Sequence, residues 1–365
     1  MKAVVLVGGE GTRLRPLTTV RPKQLLPVAG VPMLDRVLRS LVVHGVDGIV
    51  LSLGYRPDDF VAAYQGRQVD GVPVQCVVED EPLDTGGAIR FAATAAGIDE
   101  TFVAVNGDVL TDLDIARLVA FHRSRTGAEA TIALIGVEDP SRFGVVVTDA
   151  EGRVTAFVEK PPLGQAPSNQ INAGAYVMEP AVLTRIAPDE RVSVERRTFP
   201  DLVAAGALYA LAMDAYWLDT GTPQAYLQAH ADLLTGVRGG PPAPGARRQA
   251  EGPWVLGDVT VAGTVGADTL LGAGAVVAEG AAVNGSFVGA GAVIDTGATV
   301  TGSVVLDGAH VGRGAVVDRS VLGPGSEVGD GARVLEVSVI ADGALVPAGA
   351  ELRGARVPEP EVAVP

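Results

Sequence analysis

The sequence predicts an α/β protein in two parts: a mixed, mostly parallel sheet flanked by helices, then a left-handed parallel β-helix. Three observations predict it. Short apolar runs alternate with helix-spaced runs over residues 2–235. The composition turns to Pro, Gly and Arg over 236–253. From Trp254 onward, aliphatic residues recur at hexapeptide spacing. A chain of 365 residues has room for two cores at roughly 100–200 residues per domain.

In the first part, Val4 to Val7, Gly48 to Leu53, Val74 to Val78 and Phe102 to Val105 read as buried strands. Met33 to His44 carries apolar residues at helical spacing between the first two, which gives a β-loop-α-β opening. Ala130 to Val137, Val145 to Thr148 and Val154 to Glu159 suit antiparallel additions to a mixed sheet. The stretch 236–253, GVRGGPPAPGARRQAEGP, has little to bury and reads as a linker between domains 1–235 and 254–365.

In the last part, the aliphatic positions are Val265, Leu271, Val277, Val283, Val288, Ile294, Val300, Val305, Val311, Val317, Leu322, Val328 and Val334. Their steps run six, six, five, so three short strands close a turn of 17 residues, as Val283, Val300, Val317 and Val334 show. Such a coil is a triangular prism with one inward aliphatic per strand, and small residues such as Gly289, Gly312 and Gly329 follow at the corners. Its left-handed sense is an exception to the right-handed crossover rule.

Composition narrows the function. Hydrophobic residues make up 47% and charged residues 19%, as in a packed globular protein. The 47 glycines exceed the usual share of about 7% and concentrate in the repeat. A formal charge of −15 excludes a protein built mainly to hold nucleic acid, because phosphate contact needs a basic face. One cysteine, Cys76, cannot form an internal disulfide and reads as a small buried hydrophobe, consistent with a reducing, cytoplasmic location. The N-terminal apolar run is too short for a signal peptide, and no stretch reaches the roughly 18 apolar residues of a membrane span.

The first strand runs directly into Gly8-Gly9-Glu10-Gly11-Thr12-Arg13-Leu14-Arg15-Pro16-Leu17-Thr18. Glycines after a strand let backbone N–H groups turn towards an anion. No Lys-Ser/Thr pair makes this a Walker loop, and Leu14 stands where a dinucleotide fingerprint needs its third glycine. Arg13, Arg15 and Lys23 follow, a cationic set suited to neutralising a triphosphate. Asn106-Gly107-Asp108 places a carboxylate at the C-terminal end of a strand, where open α/β sheets bind ligands and where Mg²⁺ takes one or two carboxylates beside substrate phosphates.

The segment Gly8 to Val28 resembles the signature Gly-Gly-x-Gly-Thr-Arg-Leu-x-Pro-Leu-Thr with Pro-Lys-Pro-Leu-x-Pro-Val of the nucleotide-sugar pyrophosphorylases, or sugar-1-phosphate nucleotidyltransferases. Gln24 stands where that family has proline. The resemblance implies a Rossmann-like nucleotidyltransferase domain in which Gly8, Gly9, Gly11 and Thr12 hold nucleotide while Arg13 and Lys23 are catalytic. It implies Asp108 and Asp219 as Mg²⁺ ligands, the latter within Trp217-Leu218-Asp219-Thr220-Gly221-Thr222-Pro223. It further implies a sugar-phosphate site at Gly144, Glu159, Lys160 and Asn172, carried by Phe143-Gly144-Val145, Glu159-Lys160-Pro161 and Asn172-Ala173-Gly174.

Thr85, Gly86 and Gly87 sit where relatives read Pro-Leu-Gly-Thr-Ala-Gly and are expected to present backbone groups to a purine edge; Asp84 and Gly86 are departures. Asp139 to Val146, Ile171 to Tyr176, Ser193-Val194-Glu195 and Phe199-Pro200 look most like mannose-1-phosphate guanylyltransferases. The implied substrates are GTP and mannose 1-phosphate, with another hexose or a cyclitol phosphate such as valienol 1-phosphate as alternatives, and a homo-oligomer as the assembly. A non-catalytic nucleotide-sugar-binding subunit is the contrasting reading. A β-helix acyltransferase would need a histidine base, and the repeat offers only His310, whose phase beside Val311 points it outward.

Overall fold

The structure, a computed structural model, describes residues 1–188 and 190–358. Its contacts divide the chain into two compact units, Met1–Gly9 with Leu34–Trp217, and Glu10–Met33 with Leu218–Pro365. The glycine-rich segment after residue 9 therefore groups with the C-terminal part and not with the sheet that precedes it.

In the first unit, the centre of the sheet runs Phe102–Asn106, Lys2–Leu6, Gly48–Leu53, Val72–Val78, all parallel, with Val4 opposite both Val50 and Ala104. Ala3, Val4 and Val5 are wholly buried, which is why this strand reads as an unbroken apolar run instead of an alternation. The helix Met33–Val43 buries Leu34, Leu38 and Leu41 and ends one residue before the predicted His44. There Gly45 adopts the left-handed conformation at φ 86° that closes helices.

On the other side, the expected antiparallel additions are present. Ala130–Gly136 and Gly144–Thr148 both pair with Gln170–Met178, and Val154–Glu159 pairs with Gly144–Thr148. Gln170–Met178 itself, antiparallel to Phe102–Asn106, is the strand that sequence patterning missed. Its apolar run is interrupted by Asn172 and Gly174, where the register with Ala130–Gly136 shifts between Asn172 and Tyr176. Leu208–Ala212, also unforeseen, lies parallel to Ala130–Gly136. Phe199 fills the core against Tyr176 and Phe157, with ring centroids 5.2 and 5.4 Å away; truncating such a ring costs about 3–5 kcal/mol.

The second unit opens with three short 3₁₀ turns, Thr12–Leu14, Leu17–Thr19 and Lys23–Leu25, and a small hairpin pairing Pro27–Val28 with Val31–Pro32. The helix Pro223–Leu234 is capped by Thr222, whose hydroxyl accepts from the Ala225 N–H at 3.2 Å. Beyond it, three parallel sheets stack into the left-handed β-helix. Val283, Val300, Val317 and Val334 pair in register as the 17-residue spacing requires, and the predicted inward aliphatics from Leu271 to Val334 all belong to the coil's core, with the half-buried Val265 packed against its end.

Two features go beyond the repeat. The first sheet takes in Arg247–Arg248, antiparallel to Trp254–Val255, inside the stretch read as linker. The last coil is longer by one residue, since Leu322 pairs Ile340 and Val334 pairs Leu352. Glu336 and Val337 absorb the insertion in left-handed conformations, which is strained for a β-branched valine. The corner glycines are sterically required: a Cβ on Gly289 would sit 2.6 Å from the Asp307 nitrogen, and one on Gly329 2.5 Å from the Ala348 nitrogen. His310 does face outward, bonded to Asp295 at 2.9 Å. Among the described residues no helix is long and apolar enough to cross a membrane.

Candidate active site

In the first unit, the predicted residues gather where the central strands end. A Cβ on Gly107 would lie 2.6 Å from the Val7 side chain, and the Gly107 N–H donates to the Leu6 carbonyl at 2.9 Å. This turn holds the residue before Asp108 against the end of the first strand, and Asp108 itself is half-buried. Asn106 in turn touches the bulge of Gln170–Met178, where a Cβ on Gly174 would be 2.6 Å from Asn106 Nδ2. Bulges of this kind re-aim side chains near active sites. Here the Asn172 side chain accepts from the Gly174 N–H and donates to the Tyr176 hydroxyl, both at 2.9 Å.

The same bulge is tied to the edge strands. Trp217 Nε1 donates to the Ala173 carbonyl at 2.9 Å, and its ring meets Phe143 edge-on at 5.4 Å. Phe143 accepts from the Lys160 N–H at 3.0 Å, and Gly144 is in register with Glu159. A Cβ on Gly144 would meet the Phe157 ring at 2.6 Å and Glu159 Oε2 at 3.0 Å, so a glycine is needed for the carboxylate to lie there. Lys160 Nζ stands 3.3 Å from Glu159 Oε1 and is 60% exposed, with its backbone at φ 49°. Gly144, Glu159, Lys160 and Asn172 thus form one connected wall. Burial first, then the Glu195 and Glu159 carboxylates, push the Tyr176 hydroxyl above its usual range, which keeps it a neutral hydroxyl behind that wall.

Thr85, Gly86 and Gly87 are the residues expected at the base. They lie in the helix Asp84–Ala95, and the Gly86 and Gly87 N–H groups both donate to the Val192 carbonyl, at 2.7 and 3.1 Å. A Cβ on Gly86 would sit 2.9 Å from Val192 O, and one on Gly87 2.7 Å from Glu190 O. These glycines let the helix approach the 190–194 segment closely, and their backbone N–H groups are engaged there. The Thr85 hydroxyl donates to Glu195 Oε2 at 2.8 Å and accepts from the Val194 N–H. Glu195 also accepts from the Ser193 hydroxyl, at 2.7 Å. Cys76 lies apart, its thiol pushed up to about 11 by burial and so protonated at neutral pH.

In the second unit, Gly11 caps the Thr12–Leu14 turn at φ 65°. A Cβ there would be 3.0 Å from Lys23 and 3.1 Å from Thr18, whose hydroxyl donates to the Gly11 carbonyl at 2.8 Å. Thr12 and Arg13 are exposed on this loop. Arg13 Nη2 lies 3.7 Å from Asp219 Oδ2, while Asp219 Oδ1 accepts from the Gly221 N–H at 2.9 Å. Gly221 makes room for the guanidinium, since a Cβ would stand 2.6 Å from Arg13 Nη2. Gln24 is 2% exposed, with Oε1 lacking a hydrogen-bond partner.

Comparison with known proteins gives a consistent picture. Residues 2–236 match the nucleotidyl transferase family, and residues 265–364 match the GMPPB C-terminal domain. The chain is 41% identical over 290 residues to a mannose-1-phosphate guanylyltransferase of Mycobacterium tuberculosis, covering 78% of each. It is 38% identical over 281 residues to a probable mannose-1-phosphate guanylyltransferase 2 of Arabidopsis thaliana, covering 74% of this chain and 75% of that one. Among solved structures, HddC from Yersinia pseudotuberculosis, also solved complexed with GMP-PN, superposes with a TM-score of 0.54 at 30% identity over 63% of this chain and 97% of its own.

Proposed function

The chain belongs to the nucleotidyl transferase family, and we propose that it transfers the guanylyl group of GTP to mannose 1-phosphate, releasing pyrophosphate. A phosphate oxygen of the sugar substrate attacks the α-phosphorus in line, the bond from that phosphorus to the bridging oxygen breaks, and pyrophosphate departs. No enzyme nucleophile is required, because the sugar phosphate already carries one; the protein supplies alignment and charge stabilisation.

Gly8, Gly9, Gly11 and Thr12 offer backbone donors to the triphosphate. Arg13 and Lys23 neutralise its charge, Lys23 at the α-phosphoryl. Glu159 and Asn172 accept from sugar hydroxyls beside Gly144, and Lys160 steers the sugar phosphate. The reading is carried by the unbroken run of contacts joining Asn106, the Asn172–Gly174 bulge, Trp217, Phe143 and Lys160. Thr85 holds the helix that begins beside it, through Glu195.

Members of the family use a divalent metal ion. Carboxylate oxygens suit a hard cation, and the Asp219 side chain is partly exposed, with Oδ2 3.7 Å from Arg13. Asp108 and Asp219 would hold Mg²⁺, which when bound neutralises phosphate charge. Catalysis is assigned to residues 1–235, with 236–253 connecting to a β-helix, 254–365, that serves self-association; the location is cytoplasmic. The test is a matrix of nucleoside triphosphates against sugar 1-phosphates and a cyclitol phosphate, scored for nucleotide-sugar. GDP-mannose as the dominant product is expected. Failure of every pair would leave a nucleotide-sugar-binding subunit instead.

A further inference from the structure

In each strand of the β-helix the residue before the inward aliphatic faces out, and on two sheets those positions are open, as at Thr260, Leu345, Thr264, Arg333 and Glu351. On the third sheet five of them, Leu270, Phe287, Val304, Val321 and Val339, are 1% exposed or less, between a half-buried Trp254 at one end and a half-buried Arg356 at the other. A run of five buried apolar side chains on an outer face has a cover. The hairpin tip lies on it, since a Cβ on Gly30 would be 3.3 Å from Leu256 and 3.5 Å from the Phe287 ring. His230 lies 5.7 Å from Phe287 and 4.7 Å from Tyr226, whose hydroxyl donates to the Pro27 carbonyl.

Beside this apolar contact lies one ion pair that spans most of the chain. Arg21 Nη2 donates to Asp342 Oδ2 at 2.8 Å, across 321 residues. Asp342 is 21% exposed and its Oδ1 is buried without a partner. Burial raises the Asp342 carboxyl and Arg21 draws it back. Removing one member of such a half-buried pair strands the other charge, unlike the loss of a solvated pair. Arg21 leads into a rigid turn: Leu25 N–H donates to Pro22 O, Leu26 N–H to Lys23 O, and Lys23 packs on Gly11.

We propose that Asp342, on the β-helix, is a positioning residue for nucleotidyl transfer, acting through Arg21 to fix the Pro22–Leu26 turn and with it Lys23. This rests on the transferase reading of the glycine-rich loop, but it gives the β-helix a part in the reaction that assembly alone would not. Asp342 touches no substrate in this account; it sets where Lys23 stands.

The experiment uses full-length Arg21→Gln, Asp342→Asn, the double variant and the charge swap Arg21→Glu with Asp342→Arg. It measures kcat, KM for each substrate, and amide exchange of residues 19–26. Each single variant is expected to lower kcat about tenfold, the double no further, and the swap to recover most of it, as residues acting as one unit require. KM for the sugar 1-phosphate should stay constant, and exchange in 19–26 should rise in the singles and fall in the swap. If Asp342→Asn does not fold, Asp342→Glu replaces it, with near wild-type kcat expected. Multiplying losses in the double variant, or unchanged kcat and exchange in both singles, would overturn the proposal. Wild-type pyrophosphate release in the same assay reports on the transferase reading separately; without it, exchange alone decides whether Asp342 fixes the turn.

Discussion

Arg13 and Asp219 face each other at 3.7 Å across a gap that exists only because residue 221 has no side chain. With Asp219 held by the Gly221 N–H, its second oxygen and the guanidinium present opposite charges towards solvent. Asp219→Asn should lower kcat/KM by about 100-fold or more, on the scale of losing a charge-stabilising group. Arg13→Lys, which keeps charge but loses the planar fork, should still lose about tenfold. Steady-state assays of both variants, with circular dichroism to confirm folding, check this. Gly221→Ala should reproduce the Arg13 defect.

Asp108 sits in a turn that Gly107 presses onto the first strand. Asp108→Asn keeps the size of the side chain, so the fold and its melting temperature should persist while metal-dependent turnover disappears. Unimpaired activity across a Mg²⁺ titration would remove Asp108 from the site.

The Gly144–Glu159 contact separates sugar from nucleotide effects. Gly144→Ala would drive a methyl into the Phe157 ring and against Glu159, displacing the carboxylate at a cost of about 1–3 kcal/mol of overpacking. KM for the sugar 1-phosphate should rise, as it should for Glu159→Gln and Lys160→Ala, while KM for the nucleotide stays near wild type. Equal increases in both constants would contradict the assignment.

Stability at low pH has an identifiable contributor. Glu129 accepts two bonds from Arg185, at 2.7 and 2.5 Å, and these hold its carboxyl below the ordinary value of 4.5. A depressed carboxyl stabilises the folded state fully above its unfolded value, and the stabilisation is lost as pH falls through the folded one. For a partly exposed pair the effect is about 1 kcal/mol or less. Urea unfolding of Glu129→Gln should show lower stability than wild type at pH 7, with the gap closing in acid.

Much of this was legible in the sequence because the physics was local or periodic. A strand buried on both faces shows as an unbroken run, which located Gly48–Leu53 to the residue. The inward phase of the β-helix followed from spacing alone. Gln170–Met178 was hidden because its bulge places Asn172 and Gly174 inside the apolar run. Nothing in the sequence showed that Gly86 and Gly87 pack against the 190–194 backbone, because that partner is more than 100 residues away. The Arg21–Asp342 pair has no sequence signature, since 321 residues separate its two charges.

The central claim is that the α-phosphorus, and no other, is transferred. The most direct measurement follows GTP radiolabelled at either the α- or the γ-phosphorus through a reaction with mannose 1-phosphate. The account predicts α-label in the nucleotide-sugar and γ-label in pyrophosphate, in equal amounts. γ-Label in a sugar product, or in free phosphate without nucleotide-sugar, would contradict it.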